Sequence, residues 1–244
     1  MEQLSGYALV EPKAPLRAVE HPVTDPGAGE VVVKVAGCGL CHTDLGFAFG
    51  GVRTRHPLPL ILGHEIAGRV VQAGRGVEHL LGTSVVVPAV VPCGACDDCL
   101  AGAPMICKRQ IMPGNDIDGG FASHVLVPAR GLCPVPGANG DFDAPLGKSG
   151  VTLRHLAVIA DAASTPYQAI QRAQVREGDL AIVVGLGGVG GYAAQIAAYR
   201  GAHVVGLDLS EDRRASAPSL GCELALDPTA LQPRALKAVI RAFA

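Results

Sequence analysis

The chain has 244 residues, of which 49% are apolar, and its 20 basic residues nearly balance 22 acidic ones. This composition excludes a disordered chain, and the balanced charge argues against a protein that binds nucleic acid through a broad basic face. The length suits one large domain or two small ones, and 32 glycines with 18 prolines predict many turns.

The first residues, Met1 to Lys13, contain no basic segment followed by an apolar run. We therefore expect a cytoplasmic protein without a secretory signal, whose clustered cysteines bind metal or react rather than form disulfides. The uncharged stretch Leu180–Tyr199 is close to the length of about 20 residues that a membrane span needs. Glycines interrupt it, so a buried strand, a turn and a helix explain it better than a membrane helix.

The first two-thirds of the chain are predicted to be rich in strands. Runs of β-branched or alternating residues, separated by Gly, Pro and Asp, lie at Tyr7–Val10, Glu30–Val35, Ile66–Gln72, Ser84–Val91 and Phe121–Val127. Several short strands at this spacing are typical of a partly open β-barrel. We expect this region to form one domain, residues 1–162.

From residue 163 onward, the predicted strands and helices alternate. The first helix is predicted over Tyr167–Ala173, with Thr165 as its cap and Pro166 as its first residue. The elements that follow are strand Leu180–Val184, helix Gly188–Tyr199, strand His203–Leu207, helix Glu211–Leu220, a strand near Glu223–Leu226 and helix Pro233–Phe243. This alternation predicts a parallel, doubly wound α/β sheet in a second domain, residues 163–244.

A glycine-rich loop joins the first strand of that domain to its helix. The G-x-G-x-x-G pattern is formed by Gly185, Leu186, Gly187, Gly188, Val189 and Gly190. In this context the pattern predicts a dinucleotide-binding turn, because glycines let the backbone approach a pyrophosphate at the helix N-terminus. Asp208 ends the next strand and would bind the adenosine ribose and repel a 2′-phosphate, which favours NAD over NADP. A glycine-rich turn without a ligand is the alternative.

Four cysteines are closely spaced on a polar loop: Cys93, Cys96, Cys99 and Cys107. Four thiolates from one short loop suit a closed, tetrahedral zinc site that fixes the loop. Similar runs also hold iron–sulfur clusters, but nothing else in the sequence suggests electron transfer, so zinc is preferred. Four thiols without a metal remain the alternative.

A second group is dispersed along the chain and contains Cys41, His64 and Asp161. A catalytic zinc needs three protein ligands and an open fourth position, and a thiolate, an imidazole and a carboxylate can supply the three. Asp44 and Glu65 lie near these residues in sequence and suit roles that orient the ligands. Spacing alone leaves open that Cys41 and His64 are simply packed and that Asp161 accepts N–H groups at a helix start.

The motifs occur in a familiar order: Gly39–Asp44, Gly63–Glu65, the four-cysteine loop and the glycine loop. In this order they resemble the zinc-dependent medium-chain alcohol dehydrogenases, and the resemblance covers essentially the whole chain. It implies a GroES-like catalytic domain followed by a Rossmann domain. It also implies an NAD-dependent oxidoreductase acting on a small-molecule alcohol, with one catalytic and one structural zinc per chain and a homo-oligomeric assembly when full length.

The resemblance implies roles for single residues as well. Cys41 and His64 would bind the catalytic zinc, and the Thr43 hydroxyl would pass on the substrate proton. The third ligand of the family is usually a cysteine, or in some branches an acid, just before the interdomain helix. This chain has Asp161 at that place. The other implied site residues are His42 near the cofactor pyrophosphate and Glu65 behind the metal.

A finer resemblance concerns the substrate. Val87–Cys93, Met112–Asn115, Gly119–Phe121 and Ile159–Ala162 are similar to segments of the 6-hydroxycyclohex-1-ene-1-carbonyl-CoA dehydrogenases of aromatic degradation. Those enzymes oxidise a ring alcohol carried on a CoA thioester. Candidate cations for a CoA group are Arg53, Arg55, Lys108 and Arg109. By spacing alone these are ordinary solvated charges, and a general alcohol or polyol dehydrogenase is the alternative.

The predicted nucleotide-binding half-sheet ends near Leu226, and residues 227–244 are too few for a second half. Because a Rossmann domain needs two such halves, the resemblance implies a C-terminally truncated chain that binds zinc but shows little or no turnover alone. Its unpaired sheet edge would favour association. The alternative from another class is a non-catalytic, zinc-stabilised binding module that uses the half-sheet as a partner surface.

Overall fold

A computed structural model describes residues 3–243 of the chain. It contains two compact units, Met1–Asp161 and Ala162–Ala244. The division falls one residue before the domain boundary predicted between residues 162 and 163. Among the described residues, no helix combines the length and the apolar character that crossing a membrane requires.

Strands dominate the first unit. They are β1 (Gln3–Leu9), β2 (Arg17–Pro22), β3 (Glu30–Gly39), β4 (Leu60–Ile61), β5 (Glu65–Ala73), β6 (Ser84–Val87), β7 (His124–Pro128) and β8 (Cys133–Pro134). They pair antiparallel in two open sheets, with orders β2-β1-β4 and β7-β3-β5-β6-β8. The short helical elements are α1 (His42–Ala48), α2 (Asp97–Leu100) and the 3₁₀ helices Glu78–Leu80, Pro104–Ile106 and Arg154–Ala160.

The alternating valines of the central strands form the core of the first unit. Its fully buried members include Val31, Val33, Val70, Val85 and Val127. Burial of one face is what fixes the strand register, because a shift by one residue would move every valine to the opposite face. The larger sheet therefore supplies a rigid frame on which the loops at its ends are carried.

The predicted strands of this unit exist, with different ends. Strand β6 stops at Val87 because Pro88 has no N–H to donate to the ladder. Strand β7 starts at His124 rather than at Phe121, since the Phe121 carbonyl accepts a hydrogen bond from Tyr7 N at 2.9 Å and is used by the other sheet. Strands β2, β4 and β8 were not predicted. The strands of the predicted partly open β-barrel form two open sheets.

The second unit alternates strands and helices around a parallel sheet. Its elements are α3 (Ser164–Arg172), β9 (Leu180–Val184), α4 (Gly188–Tyr199), β10 (His203–Leu207), α5 (Glu211–Ser216), the 3₁₀ helix Ala217–Leu220, β11 (Leu224–Leu226) and α6 (Pro233–Phe243). The sheet order is β11-β10-β9. The bounds of β9, α4, β10 and α6 agree with those predicted. The uncharged stretch is a strand, a turn and a helix.

Two helix ends of the second unit differ from the prediction. Helix α3 begins at Ser164 and Ala163 occupies the N-cap position, so the prediction of Thr165 as the cap was wrong. A proline is tolerated throughout the first helical turn, where N–H groups have no partner in the helix, and it does not mark the first residue. Helix α5 changes to a 3₁₀ helix at Ala217, because Pro218 cannot donate the next α-helical hydrogen bond.

Candidate metal centres and nucleotide loop

Strand pairing brings Cys41 and His64 together. In the β3–β5 ladder Gly39 is the partner of Glu65. Cys41 follows β3 by two residues and His64 immediately precedes β5, so both side chains belong to the same end of the ladder. A side chain at position 39 would overlap the Glu65 carboxylate, which explains the glycine.

Asp161 reaches the same place from a separate element. It is the C-cap residue directly after the 3₁₀ helix Arg154–Ala160, which packs against β3, β5 and β6. Its Oδ2 lies 3.4 Å from His64 Nε2 and 3.9 Å from Cys41 Sγ. The Glu65 carboxylate also belongs to the cluster, since one ligand atom from each of the four residues lies within 4.8 Å of the others. We call Cys41, His64 and Asp161 the dispersed site.

The dispersed site fits a tetrahedral zinc ion. Standard zinc–ligand lengths place a nitrogen and an oxygen about 3.4 Å apart, and a sulfur and an oxygen about 3.6 Å apart. The observed separations of 3.4 Å and 3.9 Å are close to these values. His64 is 1% exposed, and neither of its ring nitrogens makes a hydrogen bond to residues 3–243. A metal ion at Nε2 would satisfy a buried polar atom that otherwise carries a desolvation cost.

The charges of this site favour a cation. Burial lowers the pKa of His64, but the neighbouring Asp161, Asp44 and Cys41 outweigh burial and raise that pKa to about 10. The cause is an excess of acidic groups around one imidazole. A divalent cation would relieve the same excess in place of the proton.

Asp44 ties the two ligand-bearing segments together. It is 1% exposed, and its carboxylate accepts a hydrogen bond from Cys41 N at 2.9 Å and another from Gly63 N at 3.1 Å. The same carboxylate lies 3.4 Å from Nδ1 of His64. These contacts place Asp44 between the backbone of Cys41 and the ring of His64, while its orienting role stays a prediction.

Sequence reasoning missed the glycines that surround Gly63. This residue has a φ of 97°, and a Cβ here would lie 2.7 Å from Cys38 Sγ. A Cβ on Gly114 would lie 2.7 Å from the Gly63 nitrogen, and one on Gly119 would overlap the Gly63 carbonyl. The segment before His64 is therefore enclosed by close backbone contacts. Glycines are common in loops, so the sequence carries no signal for this role.

Thr43 and His42 lie exposed at the start of α1, beside the dispersed site. The Thr43 hydroxyl is 3.7 Å from Cys41 Sγ. A hydroxyl at this distance from a ligand atom can exchange a proton with a group bound in the open position.

Cys93, Cys96, Cys99 and Cys107 converge as predicted, and we call them the four-cysteine site. Their recorded Sγ separations are 3.5, 3.7 and 4.0 Å. Zinc–sulfur bonds in a tetrahedron place sulfurs about 3.8 Å apart, so the thiols already have the geometry of a closed zinc site.

Backbone N–H groups help some of these thiols to ionise. A hydrogen bond from Ala95 N lowers the pKa of Cys93 to about 6, whereas burial raises the pKa of Cys99 to about 11. Cys107 has a lowered pKa because Cys93 N donates to its sulfur at 3.3 Å. A metal ion needs thiolates, and the loop provides N–H donors that stabilise them.

The glycine loop of the second unit has the expected backbone. Gly185 has a φ of 87°, and a Cβ on Gly190 would overlap the Gly185 carbonyl. Helix α4 starts at Gly188 with Gly187 as its N-cap, so the first N–H groups of α4 have no partner within the helix. These features are those of a phosphate-binding turn.

Asp208 has a contact that the sequence did not reveal. Its carboxylate accepts hydrogen bonds from Leu186 N at 2.7 Å and Ser210 N at 2.8 Å, and these bonds lower its pKa. Nη1 of Arg213 lies 3.5 Å from the same carboxylate. Asp208 therefore holds the glycine loop, while its contact with a ribose stays a prediction.

Comparisons with known proteins agree with this architecture. Residues 27–137 match the family model described as the alcohol dehydrogenase GroES-like domain. An alcohol dehydrogenase of Geobacillus stearothermophilus is 34% identical over 224 residues, which are 91% of this chain and 63% of the relative. The chain thus spans less than two-thirds of that relative's length.

Solved structures give the same result. The galactitol-1-phosphate dehydrogenase of Escherichia coli has a TM-score of 0.86 and 27% identity, over 98% of this chain and 65% of that one. An NAD-dependent alcohol dehydrogenase has a TM-score of 0.83 and 30% identity, over 98% of this chain and 67% of that one. Together with the two thiol-containing donor sets, these likenesses show that the chain belongs to the zinc-type medium-chain alcohol dehydrogenase family.

Proposed function

We propose that the complete protein is a zinc- and NAD-dependent oxidoreductase that transfers a hydride from a secondary alcohol to NAD. The observation that carries this proposal is the convergence of Cys41 Sγ, His64 Nε2 and an Asp161 oxygen from three separate parts of the chain. With Glu65 behind the metal, as the resemblance implies, the other three groups of this cluster would leave a fourth zinc position open to substrate, whereas structural zinc sites are closed by four ligands.

The residues of the dispersed site have distinct roles in this reaction. Cys41, His64 and Asp161 would hold the zinc, and Asp44 would keep the first two in place through the Cys41 and Gly63 N–H groups. A zinc ion held there would act as a Lewis acid and would lower the pKa of a bound hydroxyl, as it does for bound water. The Thr43 hydroxyl, 3.7 Å from Cys41 Sγ, would accept the proton that the alcohol loses and donate its own towards solvent.

The glycine loop would hold the cofactor. Backbone N–H groups of Gly188, Val189 and Gly190 at the start of α4 would bind the pyrophosphate, and Asp208 would bind the adenosine ribose. A buried carboxylate disfavours a 2′-phosphate, which supports NAD as the cofactor. His42 is assigned to the pyrophosphate and Glu65 to the side of the zinc away from substrate, as the resemblance implies.

For the substrate we propose a cyclic alcohol on a CoA thioester, as in 6-hydroxycyclohex-1-ene-1-carbonyl-CoA dehydrogenase. Anionic phosphates of CoA need cations, and Arg53, Lys108 and Arg109 are exposed and form no ion pair within residues 3–243. Arg55 is less suitable, since it pairs with Asp116 at 3.3 Å. A general alcohol or polyol dehydrogenase is the second candidate, which the likeness to a galactitol-1-phosphate dehydrogenase favours.

Turnover assays of the full-length protein would test the proposed reaction and the proposed CoA-linked substrate separately. NADH formation would be measured with simple alcohols, polyols, polyol phosphates and cyclic hydroxyacyl-CoA esters. The CoA-linked substrate predicts the highest kcat/KM for the cyclic ester, and a loss of that preference in Arg53→Ala. Turnover of simple alcohols without the ester would refute the CoA-linked substrate and keep the dehydrogenase. No NADH with any alcohol would refute both.

The oligomeric form is a further proposal. We infer that the protein forms a dimer or a tetramer. Sedimentation velocity would measure its mass in solution, and a monomer at micromolar concentration would contradict this inference.

A further inference from the structure

Asp161 depends on a 3₁₀ helix for its position, whereas Cys41 and His64 are fixed by the β3–β5 ladder. The helix Arg154–Ala160 carries Asp161 at its C-terminal end. Leu153 and Ala157 pack with Ala36 and Ala67 in one apolar cluster. Apolar packing is non-directional, so hydrogen bonds with defined geometry add the directional contacts that fix the position of the helix along the sheet.

Arg154 makes such contacts at the first residue of this helix. Its Nη1 donates to the Ala36 carbonyl on β3 at 2.8 Å. On the other side, Nε and Nη2 donate to the two carboxylate oxygens of Asp143 at 2.5 and 3.1 Å. This bidentate pairing fixes the plane of the guanidinium as well as its distance. Gly37 allows the approach, because a Cβ there would lie 2.7 Å from the Arg154 carbonyl.

The charges of the pair reflect the same geometry. Hydrogen bonds from Arg154 hold the pKa of Asp143 below its usual range, and Asp143 raises that of Arg154. The side chains are nevertheless 50% and 70% exposed. An exposed ion pair contributes little to global stability, so a role in folding alone does not account for three directed hydrogen bonds.

We propose that Arg154, held between Asp143 and the Ala36 carbonyl, is a positioning residue that fixes the helix Arg154–Ala160 on β3 and thereby holds Asp161 at the dispersed site. This inference rests on the proposed function, in which Asp161 is a metal ligand. Arg154 lies seven residues before Asp161, so it acts through the helix and touches neither metal nor substrate. Removing it leaves Cys41 and His64 in place and lets the third ligand move.

Metal binding can test this without a turnover assay. The metal-free full chain would be titrated with Co²⁺ while the visible absorption bands of the two sites are followed, and Zn²⁺ affinity would be obtained by competition. The variants are Arg154→Ala, Arg154→Lys and Asp143→Asn. Arg69→Ala is the matched control, because Arg69 Nε also donates to a backbone carbonyl, that of Gly82 at 2.9 Å, without bonding to the helix.

We expect Arg154→Ala to weaken Co²⁺ binding at the dispersed site about tenfold or more, which is the usual effect of losing a residue that orients a metal ligand. The bands of that site shift, while the four-cysteine site keeps its affinity. Asp143→Asn should also weaken Co²⁺ binding at the dispersed site. Arg154→Lys should bind Co²⁺ there more tightly than Arg154→Ala and less tightly than the wild type. Arg69→Ala should match the wild type.

Wild-type affinity at the dispersed site in both Arg154→Ala and Asp143→Asn would overturn the inference. If Arg154→Ala unfolds by circular dichroism, wild-type affinity in Asp143→Asn and Arg154→Lys would overturn it in the same way. A wild-type chain that binds Co²⁺ at the four-cysteine site and nowhere else is a different result. It would refute Asp161 as a ligand, and the proposed function together with it.

Discussion

The four-cysteine site and the dispersed site use similar ligands but are built in different ways. Cys93 and Cys107 are separated by 14 positions, whereas Cys41 and Asp161 are separated by 120. Closing a short loop needs no other part of the fold, and the loop supplies its own N–H donors to the thiols. The dispersed site exists because a sheet and a 3₁₀ helix bring distant residues together. One site should therefore depend on local chain, and the other on tertiary structure.

Removal of one ligand from the dispersed site should have the largest effect. We expect Cys41→Ala to lower the metal content from two ions per chain to one and to abolish NADH formation by the full-length protein, because a thiolate ligand is lost. Elemental analysis and turnover assays would measure this. Cys38→Ala is the matched control, since that half-buried thiol lies three residues away and outside the donor set. Two metal ions per chain in Cys41→Ala would show that Cys41 is not a required ligand of the dispersed site.

Loss of the four-cysteine site should lower the stability of the fold more than loss of the dispersed site does. Cys107 is 3% exposed, and Cys107→Ala should release one metal ion and lower the free energy of unfolding by several kcal/mol, because binding of a structural zinc contributes to folding. The Co²⁺ bands of the dispersed site should persist. Urea unfolding with metal analysis would show this, and the loss of both ions at once would contradict local construction of the loop.

Asp44 should matter to the dispersed site and not to the other. Asp44→Asn should weaken Zn²⁺ binding there by about 10- to 100-fold, because Asn cannot accept both backbone hydrogen bonds that orient Cys41 and His64. Asp118→Asn is a suitable control, as Asp118 accepts one backbone hydrogen bond, from Ile61 N at 2.9 Å. Equal Zn²⁺ affinities at the dispersed site in the two variants would show that Asp44 does not orient the ligands.

The glycine loop lies between the two metal sites in the sequence separation of its contacts, since the Asp208 carboxylate accepts a hydrogen bond from Leu186 N across 22 positions. N–H donation from Ser210 and Leu186 lowers the pKa of Asp208 in the folded chain. The stability that this provides is present above the unfolded pKa of about 4 and is lost as pH falls through the lower folded value. Asp208→Asn should lower the melting temperature at neutral pH by a few degrees and flatten its acid dependence. An unchanged dependence of the melting temperature on acid pH would show that the glycine loop does not need Asp208 for its stability.

Local patterns in the sequence predicted the second unit and the four-cysteine site well. Apolar runs and glycine signals act over a few residues, so β9, α4 and β10 appear with the predicted ends. Strand β2 was missed because most of its residues are exposed and no alternation marks it. The 3₁₀ helix Arg154–Ala160 was missed because so short a helix has no reliable periodicity.

By itself, the sequence determined which groups are available: four thiols on one loop, glycines where a phosphate would approach, and ligand types suited to zinc. Tertiary structure decided where three distant groups meet. Cys41 and His64 meet because β3 pairs with β5, and Asp161 joins them because a helix docks on that sheet. The physical reason is that separation along the chain says nothing about distance in space until sheet register and helix packing are fixed.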